Sequence, residues 1–170
     1  NLEMKNQAIT ESPKLAARIA GLMYVLLIPL GIMAMIYVPS AILVEDDIAA
    51  TIANIKANEM IFRISSVAVY VTQLVNLYLV YLLYKLLSPV SKDLALSMVI
   101  FLVLAIPIAW LNELNRAAVL SLIDNPDPSA SLVSMFLGLH AYGINIASIF
   151  WGLWLFPMGY LVFKSTFIPK

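Results

Sequence analysis

The sequence predicts an all-α, polytopic transmembrane helix bundle with four spans and one short interfacial amphipathic helix. Hydrophobic residues make up 62% of the 170 residues and charged residues only 12%, whereas soluble domains are near half apolar and about a quarter charged. The mean hydropathy is +0.94. A soluble fold of this size has too little interior to bury such a composition, so we expect the solvent to be lipid.

Four apolar runs are each long enough to cross a membrane, since about 20 helical residues span the hydrocarbon layer. The runs are rich in Leu, Ile and Ala without period-two alternation, which favours helices over barrel strands. With a polar N-terminal tail over residues 1–15, they form a single membrane domain over residues 1–170. The predicted spans are residues 16–38, 61–87, 94–123 and 132–163.

The connection between the first two spans predicts the interfacial helix, over residues 45–59. Asp46 or Asp47 can cap it, and Ile48, Ile52 and Ile55 then share one face at i, i+4 and i+7. Such a short amphipathic helix is expected to lie on the membrane surface.

The distribution of Lys and Arg predicts the orientation of the spans. One side of the predicted bundle carries Lys5, Lys14, Arg18, Lys85, Lys92, Lys164 and Lys170. The other side carries only Lys56, Arg63 and Arg116. By the positive-inside rule, both termini face the cytoplasm.

A polar patch interrupts the third apolar run at "WLNELNRA", Trp110 to Ala117. We interpret it mainly as the place where the third helix reaches water, since burying Glu or Arg at the bilayer centre costs at least about 2.5–3.5 kcal/mol. The alternative is an outward-opening cleft that binds a ligand, because three of its side chains share a helix face. Counting about 20 residues outward from the basic side places the candidate ligand-binding residues at one outer level. These are Arg63, Asn112, Glu113, Arg116 and His140.

Five residues are predicted to lie deeper than this outer polar layer. Gln73, Asn76 and Asn145 are interpreted as interhelical hydrogen-bonding groups, or alternatively as a polar lining that admits water or a small ligand. Trp151 and Trp154 lie too deep for an interfacial aromatic belt. They are therefore expected to face a partner helix or a bound apolar molecule.

The fourth span carries glycines that are expected to let helix backbones approach closely, within the chain or across to a protein partner or a second copy. These are Gly138, Gly143, Gly152 and Gly159.

The sequence contains no recognisable catalytic or metal-binding motif. There are no cysteines and one histidine, too few for a thiolate or histidine-built metal site. No P-loop, nucleophile elbow, zinc-protease or dinucleotide motif occurs, so we predict no catalytic residue and leave the cofactor unknown. A net charge of zero argues against nucleic acid as a partner, while membrane lipids are expected partners.

Four strings carry a resemblance to a known family: "ARIAGLMYVLLIPLG", "NEMIFRISSVA", "LLYKLLSPVSKDLAL" and "WGLWLFPMGYLVFKSTFIPK". They resemble the bacterial multi-pass membrane family catalogued as domain of unknown function 4386, which implies a bacterial inner (plasma) membrane location. Members usually continue past this final proline with another Gly-rich apolar segment. If such a segment is missing here, a groove beside the fourth span is unfilled and four spans describe a fragment. The matching positions carry no known activity and are Arg63, Gly152, Pro157, Gly159 and Tyr160.

The favoured function is non-catalytic, because packing surface is abundant whereas nucleophile–base sets are absent. We expect an accessory subunit of a membrane complex, or a binder of lipid or another apolar ligand. One alternative is an enzyme acting on a lipid head group at the outer interface, with Glu113 and His140 as acid and base. Another is a small transporter, although neither repeated halves nor broken helices near mid-membrane are evident.

Overall fold

A computed structural model describes residues 13–165, with side chains from Leu15 onward, and this part of the chain is helical without any strand. The all-α prediction is confirmed, and four helices are long and apolar enough to cross a membrane: Leu15–Ile42, Glu59–Leu87, Lys92–Ile123 and Ala130–Lys164. We call them the first to fourth spans. Most of the predicted polar tail over residues 1–15 lies outside the described residues.

Seven α-helices and one π-helical turn make up these spans and their connections. They are α1 (Pro13–Ile32), the π-helical turn (Met33–Tyr37), α2 (Val38–Ile42), α3 (Ile48–Ala57), α4 (Glu59–Leu87), α5 (Lys92–Ile123), α6 (Ala130–Leu153) and α7 (Leu155–Lys164). The first span comprises α1, the π-helical turn and α2, and the fourth comprises α6 and α7.

Prolines explain where the first and fourth spans depart from regular α-helix. Pro39 lacks an N–H, and in an α-helix its ring would press on the carbonyl of Met35. The π-helical turn just before it, in which the Val38 N–H bonds to the Met33 oxygen, widens the helix at this point. Pro157 likewise cannot bond to the Leu153 carbonyl, and the fourth span is interrupted between α6 and α7.

Helix α3 is shorter than the predicted interfacial segment and packs differently. The Asp47 carboxylate accepts a hydrogen bond from the Ala50 N–H at 2.8 Å, so the helix begins at Ile48. Ile52 and Ile55 are buried against the bundle. The apolar face of α3 therefore packs against one end of the bundle.

Two separate apolar cores hold the bundle, one near each end. The basic-end core lies where the first and third spans begin and the second and fourth end, and includes Ala20, Leu83, Met98 and Leu161. The α3-end core lies at the opposite end and includes Ile42, Ile55, Phe62, Val119 and Val133. The middle of the bundle belongs mainly to neither core.

The spans do not pack equally against one another. The third and fourth spans are the most closely packed pair, and the second span packs against both the first and the third. Near the basic end, the Tyr24 hydroxyl of α1 lies 3.1 Å from the Met158 sulfur of α7. Toward the other end, the first span and α6 meet mainly at the walls of two cavities, described below.

The predicted close-packing role of the glycines applies to one of the four within the described chain. A Cβ on Gly143 would overlap the Asn112 side-chain amide of the third span. A Cβ on Gly138, Gly152 or Gly159 would meet no neighbouring atom within 4 Å. The absence of a side chain at Gly143 therefore lets the third span approach the fourth span closely at this position.

We predict that Gly143→Ala lowers the free energy of unfolding by about 1–3 kcal/mol, because the added methyl group must displace the Asn112 amide. Gly138→Ala is the matched control on the same helix and is expected to be neutral or slightly stabilising. Unfolding in mixed detergent micelles measures both variants. Equal stabilities for the two would contradict the close approach.

Candidate functional site

A cluster of polar side chains lies inside the bundle where the second, third and fourth spans meet near the α3 end. Glu113 and Arg116 stand one turn apart on α5 and are only 1% and 5% exposed. The Arg116 Nη1 lies 3.7 Å from the Glu113 Oε2, which is an ion pair without hydrogen-bond contact. Arg116 Nη2 donates to the backbone oxygen of Phe62 at 3.0 Å and to the Ser65 hydroxyl oxygen.

Two further contacts extend the cluster to the fourth span. The His140 Nε2 lies 3.2 Å from the Glu113 Oε1. The Asn112 Nδ2 donates to the His140 backbone oxygen at 2.9 Å, and Gly143 provides the space that this amide occupies. We call Ser65, Asn112, Glu113, Arg116 and His140 the ionic network.

The ionic network balances charge in a region with little access to water. The Arg116 guanidinium neutralises the Glu113 carboxylate and also stacks over the Phe62 ring at 4.0 Å. Removing one member of such a pair leaves an uncompensated charge, which is far more destabilising than replacing both. The network therefore joins the second and third spans through Arg116, and the third and fourth spans through Glu113 and Asn112.

The burial of these residues corrects the interpretation of "NELNR" as the place where the third helix reaches water. Asn112, Glu113 and Arg116 all face the bundle interior. The apolar pattern of the third span continues on both sides of the patch, and the shared face points toward the second and fourth spans. Arg63 does not join them: it is half exposed and pairs with Glu59 at 2.7 Å on its own helix.

Two adjoining cavities separate the first span from α6. The first, which we call the network cavity, has a volume of about 280 Å³ and is lined by Arg116, His140 and Asn145 among mostly apolar side chains. The second, the central cavity, has a volume of about 340 Å³ and is also mostly apolar. Their walls have four residues in common: Ala34, Met35, Val69 and Ile144. They therefore form one groove with a polar end.

The five residues that the sequence predicts to lie deep line two different cavities. Gln73, Asn76, Trp151 and Trp154 line the central cavity, whereas Asn145 lines the network cavity. Trp154 is also part of the basic-end core. Within residues 15–165, the amides of Gln73, Asn76 and Asn145 form no hydrogen bonds with one another.

Three residues that line the central cavity each have a buried side-chain atom without a hydrogen-bond partner in the described part of the chain. The atoms are the Thr72 Oγ1, the Gln73 Oε1 and the Trp151 Nε1. Buried polar atoms are nearly always satisfied, by protein or by an ordered molecule. These three atoms are enclosed by the protein itself, and they do not face the open space of the central cavity.

Two site residues, Ser65 and Thr72, do not stand out in the sequence. Serine and threonine are common in membrane helices because their hydroxyls can bond to the preceding turn, as Ser65 does to the Phe62 oxygen at 2.7 Å. Ser65 and Thr72 are seven residues apart, a spacing that places them on one face of the second span. This spacing is the feature of the sequence that could have indicated that the two residues face the same neighbours.

Across residues 13–165, no three His, Cys, Asp or Glu side chains come together as a metal site. The ionic network contains one carboxylate and one imidazole beside a guanidinium. Its arrangement can hold a fixed charge pair and offer donors to the network cavity.

Comparison with known proteins identifies one family. The family described as Domain of unknown function (DUF4386) matches residues 19–170, which include nearly all of the four spans. No curated protein and no solved structure matches the chain.

We predict that Arg116→Met lowers the free energy of unfolding by about 3–5 kcal/mol, because it leaves the Glu113 carboxylate buried and unpaired. The double variant Arg116→Met, Glu113→Leu is expected to recover most of that loss. Unfolding of the four proteins of this double-mutant cycle in mixed micelles measures the coupling.

Arg63→Met is the matched control for this cycle, because Arg63 pairs with Glu59 on an exposed helix face. It is expected to cost at most about 1 kcal/mol. A double variant as unstable as Arg116→Met alone would show that charge balance is not what the network supplies.

Proposed function

The chain belongs to the DUF4386 family, and we propose that it binds an amphiphilic lipid in the groove between its first and fourth spans. The apolar part of the lipid occupies the central cavity, and its polar end reaches the network cavity. This proposal concerns binding alone and assigns no chemical step to the protein.

The observation that supports it is the groove itself, with polarity at one end. Arg116 and His140 line only the network cavity, while both cavities are otherwise mostly apolar. Small-molecule sites are commonly apolar clefts of roughly 300–1,000 Å³ with a few placed polar groups. An amphiphile has the same division between an apolar chain and a polar end.

The charges at the polar end favour a head group rich in hydrogen-bond acceptors. Arg116 contributes donors, and Asn145 contributes an amide that is exposed at the same wall. Glu113 is buried behind these groups and does not line the network cavity. Ester or phosphate oxygens therefore fit this end better than an amine.

We place the protein in a bacterial inner membrane with both termini in the cytoplasm. The excess of Lys and Arg at the basic end supports this orientation by the positive-inside rule. The ionic network and the network cavity then lie toward the outer leaflet, about 20 residues from the basic end of each span.

A role as an accessory subunit is the second candidate. Gly152 and Gly159 on the fourth span leave open space around their Cα atoms, which is the geometry that a close-packed partner helix uses. A partner or a second copy of the chain would then bind this face. Neither glycine lines the groove, so the two roles are compatible.

The contact between His140 and Glu113 is what an acid–base role on a lipid head group would require. Against that role, Glu113 is 1% exposed and lies outside the wall of the cavity. A transporter would need a path through the basic-end core, where Leu79, Leu82 and Met98 are completely buried. A binding role requires neither an exposed Glu113 nor a path through the basic-end core.

We predict that Gly31→Leu reduces lipid retention on the order of tenfold, because the new side chain occupies the central cavity. Protein purified in a mild detergent is extracted, and the lipid bound per chain is measured by mass spectrometry. Gly21→Leu is the matched control, since Gly21 lies on the same helix in equally open space but outside both cavities.

Equal lipid content in wild type, Gly21→Leu and Gly31→Leu would overturn the proposed site. Retention lost equally in both variants would point to general binding along α1 and would also contradict it.

A further inference from the structure

We propose that the network cavity binds an anionic lipid head group together with one proton, which His140 takes up from water. This inference rests on the proposed function and deepens it, because it names the charge of the head group. The ligand is then an amphiphile whose polar end carries a negative charge, such as a phosphodiester or a carboxylate. Its affinity for the protein rises as the pH falls.

The first step is that Arg116 has N–H groups that its protein partners do not use. Its Nη2 bonds to the second span, whereas its Nη1 lies 3.7 Å from the Glu113 Oε2, too far for a hydrogen bond. Its Nε has no hydrogen-bond partner within residues 15–165, and neither nitrogen is enclosed by the protein as the Glu113 Oε2 is. Because Arg116 lines the network cavity, these donors face its open space.

The second step is that a neutral His140 ring presents a lone pair to the cavity. The His140 Nε2 lies 3.2 Å from the Glu113 Oε1, and a carboxylate oxygen only accepts, so the proton of the neutral ring is on Nε2. The Nδ1 atom is then an acceptor. It has no hydrogen-bond partner within residues 15–165 and is not enclosed, and the residue lines the network cavity. A second proton converts Nδ1 into a donor for an anionic oxygen.

The third step is the charge balance of the site. With a neutral His140, the charges of Arg116 and Glu113 cancel, so an added anion leaves an uncompensated negative charge beside a buried carboxylate. Uptake of one proton by His140 restores neutrality in a region where an unbalanced charge is costly. The bound state therefore holds one proton more than the free state, and by linkage the affinity increases as the pH decreases.

The titratable groups that face His140 in the described chain are Glu113 and Arg116, both on the third span. The first and second spans contribute only apolar side chains to the wall of the network cavity. Lys56 on α3 and Tyr142 on α6 are exposed and lie outside that wall. The sequence contains one histidine, and histidine is the side chain that ordinarily changes charge between pH 5 and 8. A pH dependence of binding in this range therefore reports on His140.

The test uses three probes: hexadecyl methyl phosphate, 1-hexadecanol and dimethyl phosphate. A phosphodiester keeps one negative charge between pH 6 and pH 8, so the probe itself does not titrate. Delipidated wild-type protein in an uncharged mild detergent is titrated with each radiolabelled probe at both pH values. We expect hexadecyl methyl phosphate to bind on the order of tenfold more tightly at pH 6 than at pH 8. Hexadecanol should show no pH effect, and dimethyl phosphate, which has no apolar chain, should not bind.

Because His140 is the only histidine, its protonation can be observed directly by nuclear magnetic resonance. Protein labelled with nitrogen-15 in histidine gives the signals of one imidazole, whose two nitrogen shifts distinguish the neutral ring from the imidazolium. At pH 7, saturation with hexadecyl methyl phosphate is expected to move these signals toward the imidazolium. Saturation with hexadecanol is expected to leave them unchanged.

Variants separate the proton from the opposing charge. His140→Gln can still donate to Glu113 but takes up no proton, so it should bind hexadecyl methyl phosphate at pH 6 as weakly as wild type does at pH 8. Glu113→Gln removes the opposing charge and should bind this probe at pH 8 about as tightly as wild type does at pH 6. Lys56→Gln removes a cation outside the cavity wall and is the control that should behave as wild type. If Glu113→Gln does not fold, wild type and His140→Gln carry the test.

Failure of this inference differs from failure of the proposed function. Equal affinity for hexadecyl methyl phosphate at both pH values, or an unchanged imidazole signal, would overturn the proton uptake and leave the groove in place. Tighter binding of hexadecanol than of hexadecyl methyl phosphate at both pH values would overturn the anionic head group alone. No binding of either hexadecyl probe, or dimethyl phosphate binding as tightly as the hexadecyl ester, would overturn both.

Discussion

A buried guanidinium must find acceptors for its N–H groups and a counter-charge within the protein, and Arg116 together with its counter-charge Glu113 sets the arrangement of three spans because of it. Its partners are a backbone oxygen and a hydroxyl on the second span and a carboxylate on its own helix. The same carboxylate contacts His140 on the fourth span. Lipid offers no replacement for these partners, so the spans that provide them are held at fixed positions.

The first span is outside this constraint, and that difference creates the groove. It contributes no side chain to the ionic network, and most of its apolar surface faces outward. Its contacts concentrate on the second span and on the two cores at the ends. Between the cores, the π-helical turn, which includes the small side chain of Ala34, leaves the space of the two cavities unfilled. The ionic network links the second, third and fourth spans but not the first. The two cavities, with their polar end, therefore lie beside the first span.

The fold was predictable because the hydrophobic thickness of a membrane sets span length, and each apolar run here is bounded by charges or prolines. Counting residues from the basic side also predicted that Asn112, Glu113, Arg116 and His140 lie at one level, and the contacts among them agree with this. Its burial was not, since the direction in which a helix face points depends on neighbours that periodicity does not identify. Arg63 and Arg116 are equally charged in the sequence, yet one pairs on a surface and the other inside. The roles of Ser65 and Thr72 depend on tertiary contacts of residues that are common in any membrane helix.

The account depends most on Arg116 holding the second and third spans together, and a distance measurement tests this directly. The sequence has no cysteine, so spin labels can be attached at Met60 and Leu114, which are 69% and 63% exposed on these spans. Pulsed electron paramagnetic resonance in lipid nanodiscs should give one narrow distance distribution for the otherwise unchanged chain. The account predicts a broader or longer distribution in Arg116→Met and no change in Arg63→Met. The same narrow distribution in all three proteins would contradict it.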